Sequence, residues 1–324
     1  MACLRVGVVV LLAASLLAFG ADLSWMLERL SHLRLQLLLA TAVLLPTVVL
    51  LGFRRWRWML LLVVSLAINA GELARGYGLW PAGGPLSTVS VADEPGVRVF
   101  YANLLASNPS ADRLTPQLDG ADADLLILLE LTPDWERRLE GSLARFPHRL
   151  LERREDNFGL GIYSTLPLRQ PTLIPSAVLG FDLAVPLGSA VVDAPWGPLR
   201  IVVAHPVPPT STMARRARDV QLMELAALVA DSEVPTVVVG DLNTTVFVPA
   251  YQRFIEASGL RNALVEQPQP WLLGTWPAGL PVPLRISIDH CLVSSDLAVS
   301  ELEPGRLFGS DHLPLVIELN AVHP

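Results

Sequence analysis

Residues 235–245 read PTVVVGDLNTT. Thr236 to Val239 is an apolar, largely β-branched run of the kind buried inside a sheet. Gly240, Asp241 and Asn243 then follow at once. A carboxylate and an amide at the end of a buried strand need water, a cap or a charge. Alone, either residue reads as a turn former. What decides their reading is the company they keep along the chain.

From Val97 onward, short apolar runs alternate with turns and a few helical patterns. Strands are expected over 97–102, 124–130, 161–164, 189–193, 199–204, 236–240, 286–293 and 314–319, and helices over 132–140, 213–230 and 249–258. There is no internal repeat. The chemistry-bearing residues sit at strand ends: VFYAN closes on Asn103, DLLILLE on Glu130, IVVAH on His205, TVVVGDLN on Asp241 and Asn243 and ISIDH on Asp289, while FGSDHLP carries Asp311 and His312. Strand ends of one sheet converge on one rim, so these groups can share a cleft.

Glu130, Asp241, Asp289 and Asp311 are hard oxygen ligands, and Asn103 and Asn243 add neutral oxygen donors. This set suits Mg²⁺, Mn²⁺ or Ca²⁺ and suits zinc poorly. The chain has no HExxH, Walker A loop or GxSxG, which argues against zincin, P-loop and serine-hydrolase chemistry. Carboxylates around a hard cation beside two imidazoles fit phosphoester hydrolysis: the metal neutralises phosphate, an acid or His–Asp pair activates water, and His or Asn stabilises developing charge.

The ordered set YANLL, LLILLE, NFGLGIYS, VVAHP, GDLN, SIDH and GSDHLP resembles the endonuclease/exonuclease/phosphatase superfamily, which includes deoxyribonuclease I, exonuclease III, neutral sphingomyelinases and inositol polyphosphate 5-phosphatases. The resemblance runs from about Gly96 to Asn320. It implies an α+β fold, a four-layer sandwich of two packed β-sheets flanked by helices, here expected to follow the N-terminal transmembrane helices read from the apolar runs. It also implies Mg²⁺ with Mn²⁺ as substitute. Carried over by position, Glu130 is the principal metal ligand, with Asn103 and Asp311 supporting the metal and its waters. Asp241 positions or deprotonates the attacking water, Asn243 holds the scissile phosphate, His205 contacts phosphate oxygens, and His312 is the catalytic histidine oriented by Asp289. One departure is visible: where the family often has Arg two residues before the Asp of SIDH, this chain has Ser287, with Arg285 two positions earlier.

The remaining third of the chain is of another kind. At 324 residues with 52% hydrophobic content and a mean hydropathy of +0.45, the chain is too apolar for a wholly soluble protein. Three uncharged runs come first, 6–21, 35–53 and 59–71. A bilayer core needs about 20 helical residues, so the middle run spans best and the third gains length with Trp56 and Trp58 at the interface. The first also reads as a signal peptide, MACLR being its basic start and Ala18-Phe-Gly20 its cleavage site. Arg54, Arg55 and Arg57 between the second and third runs place that loop in the cytoplasm. The expected organisation is a multi-pass membrane domain of about three helices over 1–78, a Pro/Gly linker over 79–95 and an extracytoplasmic catalytic domain over 96–324. A net charge of −7 supplies no overall basic field for nucleic acid. Cys3 and Cys291 are too far apart in sequence to suggest a disulfide framework or a CxxC site.

This architecture, with HPVPP and GTWP, is similar to bacterial vancomycin/teicoplanin-resistance membrane proteins, which implies a lipid-linked phosphate or pyrophosphate of cell-wall synthesis as substrate. Arg215, at the start of a helix with Arg216 and Arg218, is a candidate headgroup ligand, though its i,i+4 spacing to Asp219 equally fits a solvated pair. Trp271, Leu272, Leu273 and Trp276 are candidates to touch the membrane or to pack over a sheet edge. A surface nuclease, a phospholipase C-type esterase and a catalytically inactive binding module are the alternatives. A transporter is disfavoured because the spans show no ionisable pair.

Overall fold

The structure, a computed structural model, describes residues 2–50, 56–79 and 95–322. Arg54, Arg55 and most of the expected linker lie outside the described residues. The apolar runs form four helices: α1 (Ala2–Leu17), α2 (Trp25–Ser31), α3 (Arg34–Leu50) and α4 (Trp56–Gly76). Two helical segments, Ala2–Gly20 and Trp56–Gly76, are long and apolar enough to cross a bilayer; α2 and α3, bent by 61° at their break, make a third span if counted as one. The third run is thus longer than its uncharged stretch suggested, because α4 continues past Glu72 to Gly76. Val6, Val9, Val10, Val43, Val49, Trp56, Leu60 and Val63 lie exposed on these helices, as a lipid-facing surface requires. Inside, Ser15 and Ser65 share a hydrogen bond at 2.9 Å, Asn69 donates to Ser15 Oγ at 2.7 Å, and Arg34 donates to the Ser15 carbonyl at 2.9 Å. Polar bonds between apolar helices are a recurrent adhesive in membranes. Arg34 also lies 3.9 Å from Glu72, each one residue outside the uncharged runs 35–53 and 59–71.

The remaining apolar runs pair into two six-stranded sheets. The first contains β1 (Val97–Asn103), β2 (Leu125–Leu129), β3 (His148–Glu152) and β4 (Leu160–Ser164), with α5 (Ala111–Gly120), α6 (Pro133–Arg138) and α7 (Glu140–Leu143) between them. The second contains β5 (Leu168–Ala177), β6 (Ala184–Ala194), β7 (Gly197–Ala204), β8 (Thr236–Asp241), β9 (Arg261–Asn262) and β10 (Asp289–Val293), with α8 (Thr212–Ala230) and α9 (Pro249–Ser258). Finally β11 (Leu297–Pro304) and β12 (Leu315–Ala321) return to the first sheet, giving the orders β11-β12-β1-β2-β4-β3 and β5-β6-β7-β8-β10-β9.

The strands face each other across a wholly apolar core that includes Val99, Ile127, Ile162, Ile201, Val239 and Ile317. The outer face of the first sheet is covered through Leu114, Trp135 and Phe146, that of the second through Leu222, Leu225 and Phe254. The result is the four-layer α+β sandwich expected from the sequence. Each central strand is buried on both faces, so it reads as a continuous apolar run rather than an alternating one. The N-terminal helices join this packing: Leu73 and Tyr77 belong to the same cluster as Val246, Phe247 and Phe254. The ends of α1, α3 and α4 nearest residues 21, 34 and 76 meet the sandwich, while Val48 and Leu62 pack with Val8 away from it.

Candidate active site

Each sheet has one parallel pair at its centre, β1 with β2 and β7 with β8. Parallel neighbours end on the same side, so their last residues share a rim. Asn103 is the last residue of β1, and Glu130 follows directly on β2. His205 follows β7, and Asp241 ends β8. β10 runs antiparallel to β8 and starts where β8 ends, which sets Asp289 opposite Asp241. β12 likewise runs antiparallel to β1, and the loop just before it carries Asp311 and His312. The topology therefore brings the expected strand-end residues to one place.

Two backbone features make the rim tight. A Cβ on Gly240 would stand 1.9 Å from the Ala204 carbonyl oxygen, so only glycine lets β8 close on β7 beside Asp241. Glu130 and Asn243 have φ of 56° and 50°, the left-handed region that Asn tolerates and Glu enters at a cost.

Asp241 is the focus. Its Oδ1 accepts from the Asn243 N–H at 2.8 Å; its Oδ2 lies 3.4 Å from Asn103 Nδ2 and 3.6 Å from both His205 Nε2 and His312 Nε2. On the other side of His312, Nδ1 bonds Asp289 Oδ2 at 2.8 Å. Asp289 is wholly buried and also accepts hydroxyls from Thr275 and Tyr101, the latter at 2.5 Å. Glu130 Oε2 accepts from the Ala106 N–H at 2.9 Å. Asp311 is exposed, and its Oδ2 accepts from Trp276 Nε1 at 3.0 Å. Asn243 Nδ2 donates to the Pro206 carbonyl at 3.0 Å.

The electrostatics follow from burial and neighbours. Burial pushes the Asp289 carboxyl up, but His312 and the two hydroxyl donors outweigh it and hold the group below its usual range. Burial opposes protonation of His312, yet Asp289 and Asp241 win and raise it to about 10. Desolvation carries His205 down to about 4. Asp241 and Glu130 both rise, through burial first and neighbouring carboxylates second. The rim thus pairs a protonated imidazole with a neutral one around a carboxylate whose proton affinity is enhanced.

A cation has a natural place here. Asp241, Asp289 and His312 offer ligand atoms within 4.8 Å of one another. Asp289 is nevertheless occupied by three donors, His312 Nδ1 among them, which leaves its oxygens less open to a cation. Glu130, with Asn103 beside it and Asp311 close enough to raise its proton affinity, could also hold one. Its set of carboxylates and a carboxamide is one that Mg²⁺ or Mn²⁺ accepts.

Arg215 goes elsewhere. Its guanidinium donates to Asp219 at 3.1 Å and to the Asp22 carbonyl at 3.2 Å, on the seam with the N-terminal helices; the i,i+4 pair was visible in the sequence, the partner from the helices was not. Arg285 donates to the Leu280 carbonyl at 2.6 Å. The sequence assigned no role to Tyr101 or Thr275, and Trp276 was expected only as a membrane or sheet-edge contact. Tyr101 precedes Asn103 by two residues, hence on the same strand face, and GTWP was noticed only as a motif.

A family model described as the Endonuclease/Exonuclease/phosphatase family matches residues 97–312. No curated protein matches the chain by sequence. Among solved structures, the endonuclease/exonuclease/phosphatase from Beutenbergia cavernae DSM 12333 is similar with a TM-score of 0.58 at 20% identity, over 70% of this chain and 72% of that one. D. rerio TDP2 complexed with single strand DNA product has a TM-score of 0.56 at 17% identity, over 70% and 99%. Sphingomyelinase C from Streptomyces griseocarneus has a TM-score of 0.51 at 14% identity, over 69% and 99%. These structural likenesses are of fold, whereas the family match spans well over half of the chain and takes in every strand-end residue named above. The chain belongs to the endonuclease/exonuclease/phosphatase family, whose members are phosphoester hydrolases that typically depend on a divalent metal.

Proposed function

We propose that this protein is a membrane-anchored, Mg²⁺-dependent phosphoesterase that hydrolyses a lipid-linked phosphate or pyrophosphate, its catalytic domain standing outside the cytoplasm. The observation that carries this reading is where the site's loops lie. His32, between α2 and α3, bonds Thr245 Oγ1 at 3.0 Å, two residues from Asn243. Gln36 on α3 donates to the carbonyls of Pro283 and Arg285 at 3.1 Å. The loop over 270–287 that these bonds hold carries both Thr275 and Trp276. A groove of about 430 Å³ opens beside it, lined by Leu38 and Leu39 of α3, Ala70 and Leu73 of α4, and Trp271 and Leu272 of the loop. Leu272, Leu280 and Leu284 are exposed on the same loop. A phosphate whose hydrocarbon part remains in the bilayer meets such a rim from the apolar side; a long soluble polymer has no use for it. Arg57 lies at the start of α4, whose other end packs on the sandwich through Leu73, which supports the extracytoplasmic orientation.

Mg²⁺ held by Glu130, with Asn103 and Asp311 in support, supplies neutralisation of phosphate charge. The protein's own groups do the rest. Asp241, anchored at Oδ1 by the Asn243 amide, leaves Oδ2 to orient a water and accept its proton. The 3.6 Å separations of that oxygen from the two imidazoles are too long for hydrogen bonds, so neither ring occupies its lone pairs. His312, kept cationic by Asp289, balances charge gathering on the phosphoryl oxygens, and neutral His205 contacts them from the other side. The water oxygen bonds phosphorus as the bond to the leaving oxygen breaks. For a pyrophosphate that leaving group is itself a phosphate, stable as an anion.

The test is phosphate release by the full chain in vesicles with Mg²⁺, offered polyprenyl pyrophosphate, a phospholipid or DNA. Release from the prenyl substrate, absent in Asp241→Ala and His312→Ala, is expected. Preferential DNA cleavage would instead make the protein a surface nuclease, and hydrolysis of the phospholipid a phospholipase C-type esterase. Silence on all three by folded protein favours the binding module.

A further inference from the structure

Arg218 sits in the first half of α8 and is wholly buried. Its guanidinium reaches three ways: Nη2 to Glu28 Oε1 at 2.7 Å, Nε to Asp219 Oδ1 at 2.8 Å and Nη1 to the carbonyl oxygen of Asn243 at 2.8 Å. Glu28 belongs to α2 and is itself 1% exposed. A buried acid on the N-terminal helices is therefore one bond from an arginine that is one bond from the GDLN loop.

We infer that the N-terminal helices complete the phosphate-binding loop, with Glu28 and Arg218 as positioning residues that hold Asn243 by its carbonyl. The inference rests on reading Asp241 and Asn243 as that loop. Asn243 has a left-handed backbone, a conformation that persists only when its surroundings over-determine it. Its N–H is fixed by Asp241, its side-chain amide by Pro206 and its carbonyl by Arg218. His32 pins Thr245 from the same helical segment, and Tyr77 packs edge-on against Phe247 at 5.3 Å, so the stretch 243–247 is held from the N-terminal segment at two points directly and at a third through Arg218. A planar guanidinium serves three acceptors lying in fixed directions at once. Asp219 is partly open to solvent and shared with Arg215. Without Glu28, Arg218 loses the buried partner that keeps its fork aimed at Asn243 and turns toward Asp219.

The full chain separates positioning from stability. In Glu28→Ala, kcat on polyprenyl pyrophosphate with Mg²⁺ is expected to fall about tenfold or more, with KM within about twofold of wild type, and backbone amides over 241–245 are expected to exchange hydrogen faster. Glu28→Ala combined with Arg218→Leu removes the stranded buried cation, so melting temperature recovers toward wild type; kcat and the fast exchange do not, because Asn243 still lacks its donor. Return of kcat together with stability in the double variant would overturn the inference, as would unchanged exchange over 241–245 in Glu28→Ala. If the wild type hydrolyses no phosphoester, the reading of the site fails. The exchange rates still decide the clamp: faster exchange in both variants sustains it, and wild-type exchange rejects it.

Discussion

Asp289 shows how one side chain can set the character of a site without touching substrate. Its oxygens take the Tyr101 and Thr275 hydroxyls and His312 Nδ1, so it stays ionised despite complete burial and keeps His312 cationic. Asp289→Asn removes that charge, lowers the proton affinity of His312 and lets the ring deprotonate at lower pH. The alkaline limb of the kcat profile is expected to move to lower pH, and kcat to fall by about 10²-fold or more; a profile superimposable on wild type would contradict the orienting role. His290, next in the chain, works through its neutral form. Its Nε2 faces the Thr244 carbonyl at 2.8 Å and its Nδ1 faces Asn262 at 3.2 Å, and burial lowers its proton affinity below the usual 6.5. A histidine with a depressed folded pKa contributes stability above the unfolded value and loses it as pH falls below about 6.5. The melting advantage of wild type over His290→Gln should therefore shrink between pH 7.5 and 5.5.

At the scale of elements, the parallel pair β7–β8 does most of the positioning. Gly240→Ala forces a methyl onto the Ala204 carbonyl and is expected to cost about 1–3 kcal/mol while moving Asp241, so activity falls further than melting. Ser211→Ala, by contrast, removes only the α8 cap that accepts from the Ala214 N–H at 3.1 Å; it should cost about 1 kcal/mol and leave KM unchanged. Central strands such as 236–241 and helices such as α8 and α9 were legible, because burial on both faces writes an apolar run and caps write their own signals. β3, β5 and β11 were not: they lie toward sheet edges, where β3 and β5 show mostly partial burial or exposure, and the hydrophobic pattern fades. α5 was hidden by Pro116 within it. The strand-end site residues were legible because chemistry at a rim needs polar groups where apolar runs stop. Arg215 misled because a cation early in a helix looks the same in sequence whether it faces a ligand or, as here, its own helix's Asp219 and a carbonyl of a distant loop.

For the whole molecule, the helices and the sandwich share a core and an active-site loop, a union no motif announced. Recovery in the membrane fraction, with release only by detergent, is expected from the exposed apolar surface of α1, α3 and α4. The central claim is a metal-dependent phosphoester centre seated on Glu130, and it is tested most directly by measuring phosphoester hydrolysis by the full chain across a range of Mg²⁺ concentrations, wild type against Glu130→Gln. The expected result is activity abolished by chelation and restored by Mg²⁺, with the half-activating concentration raised at least about tenfold in the variant, since loss of a metal-binding partner typically costs 10–100-fold in affinity or activity. Hydrolysis that survives chelation, or a Mg²⁺ dependence identical in the two proteins, would contradict it.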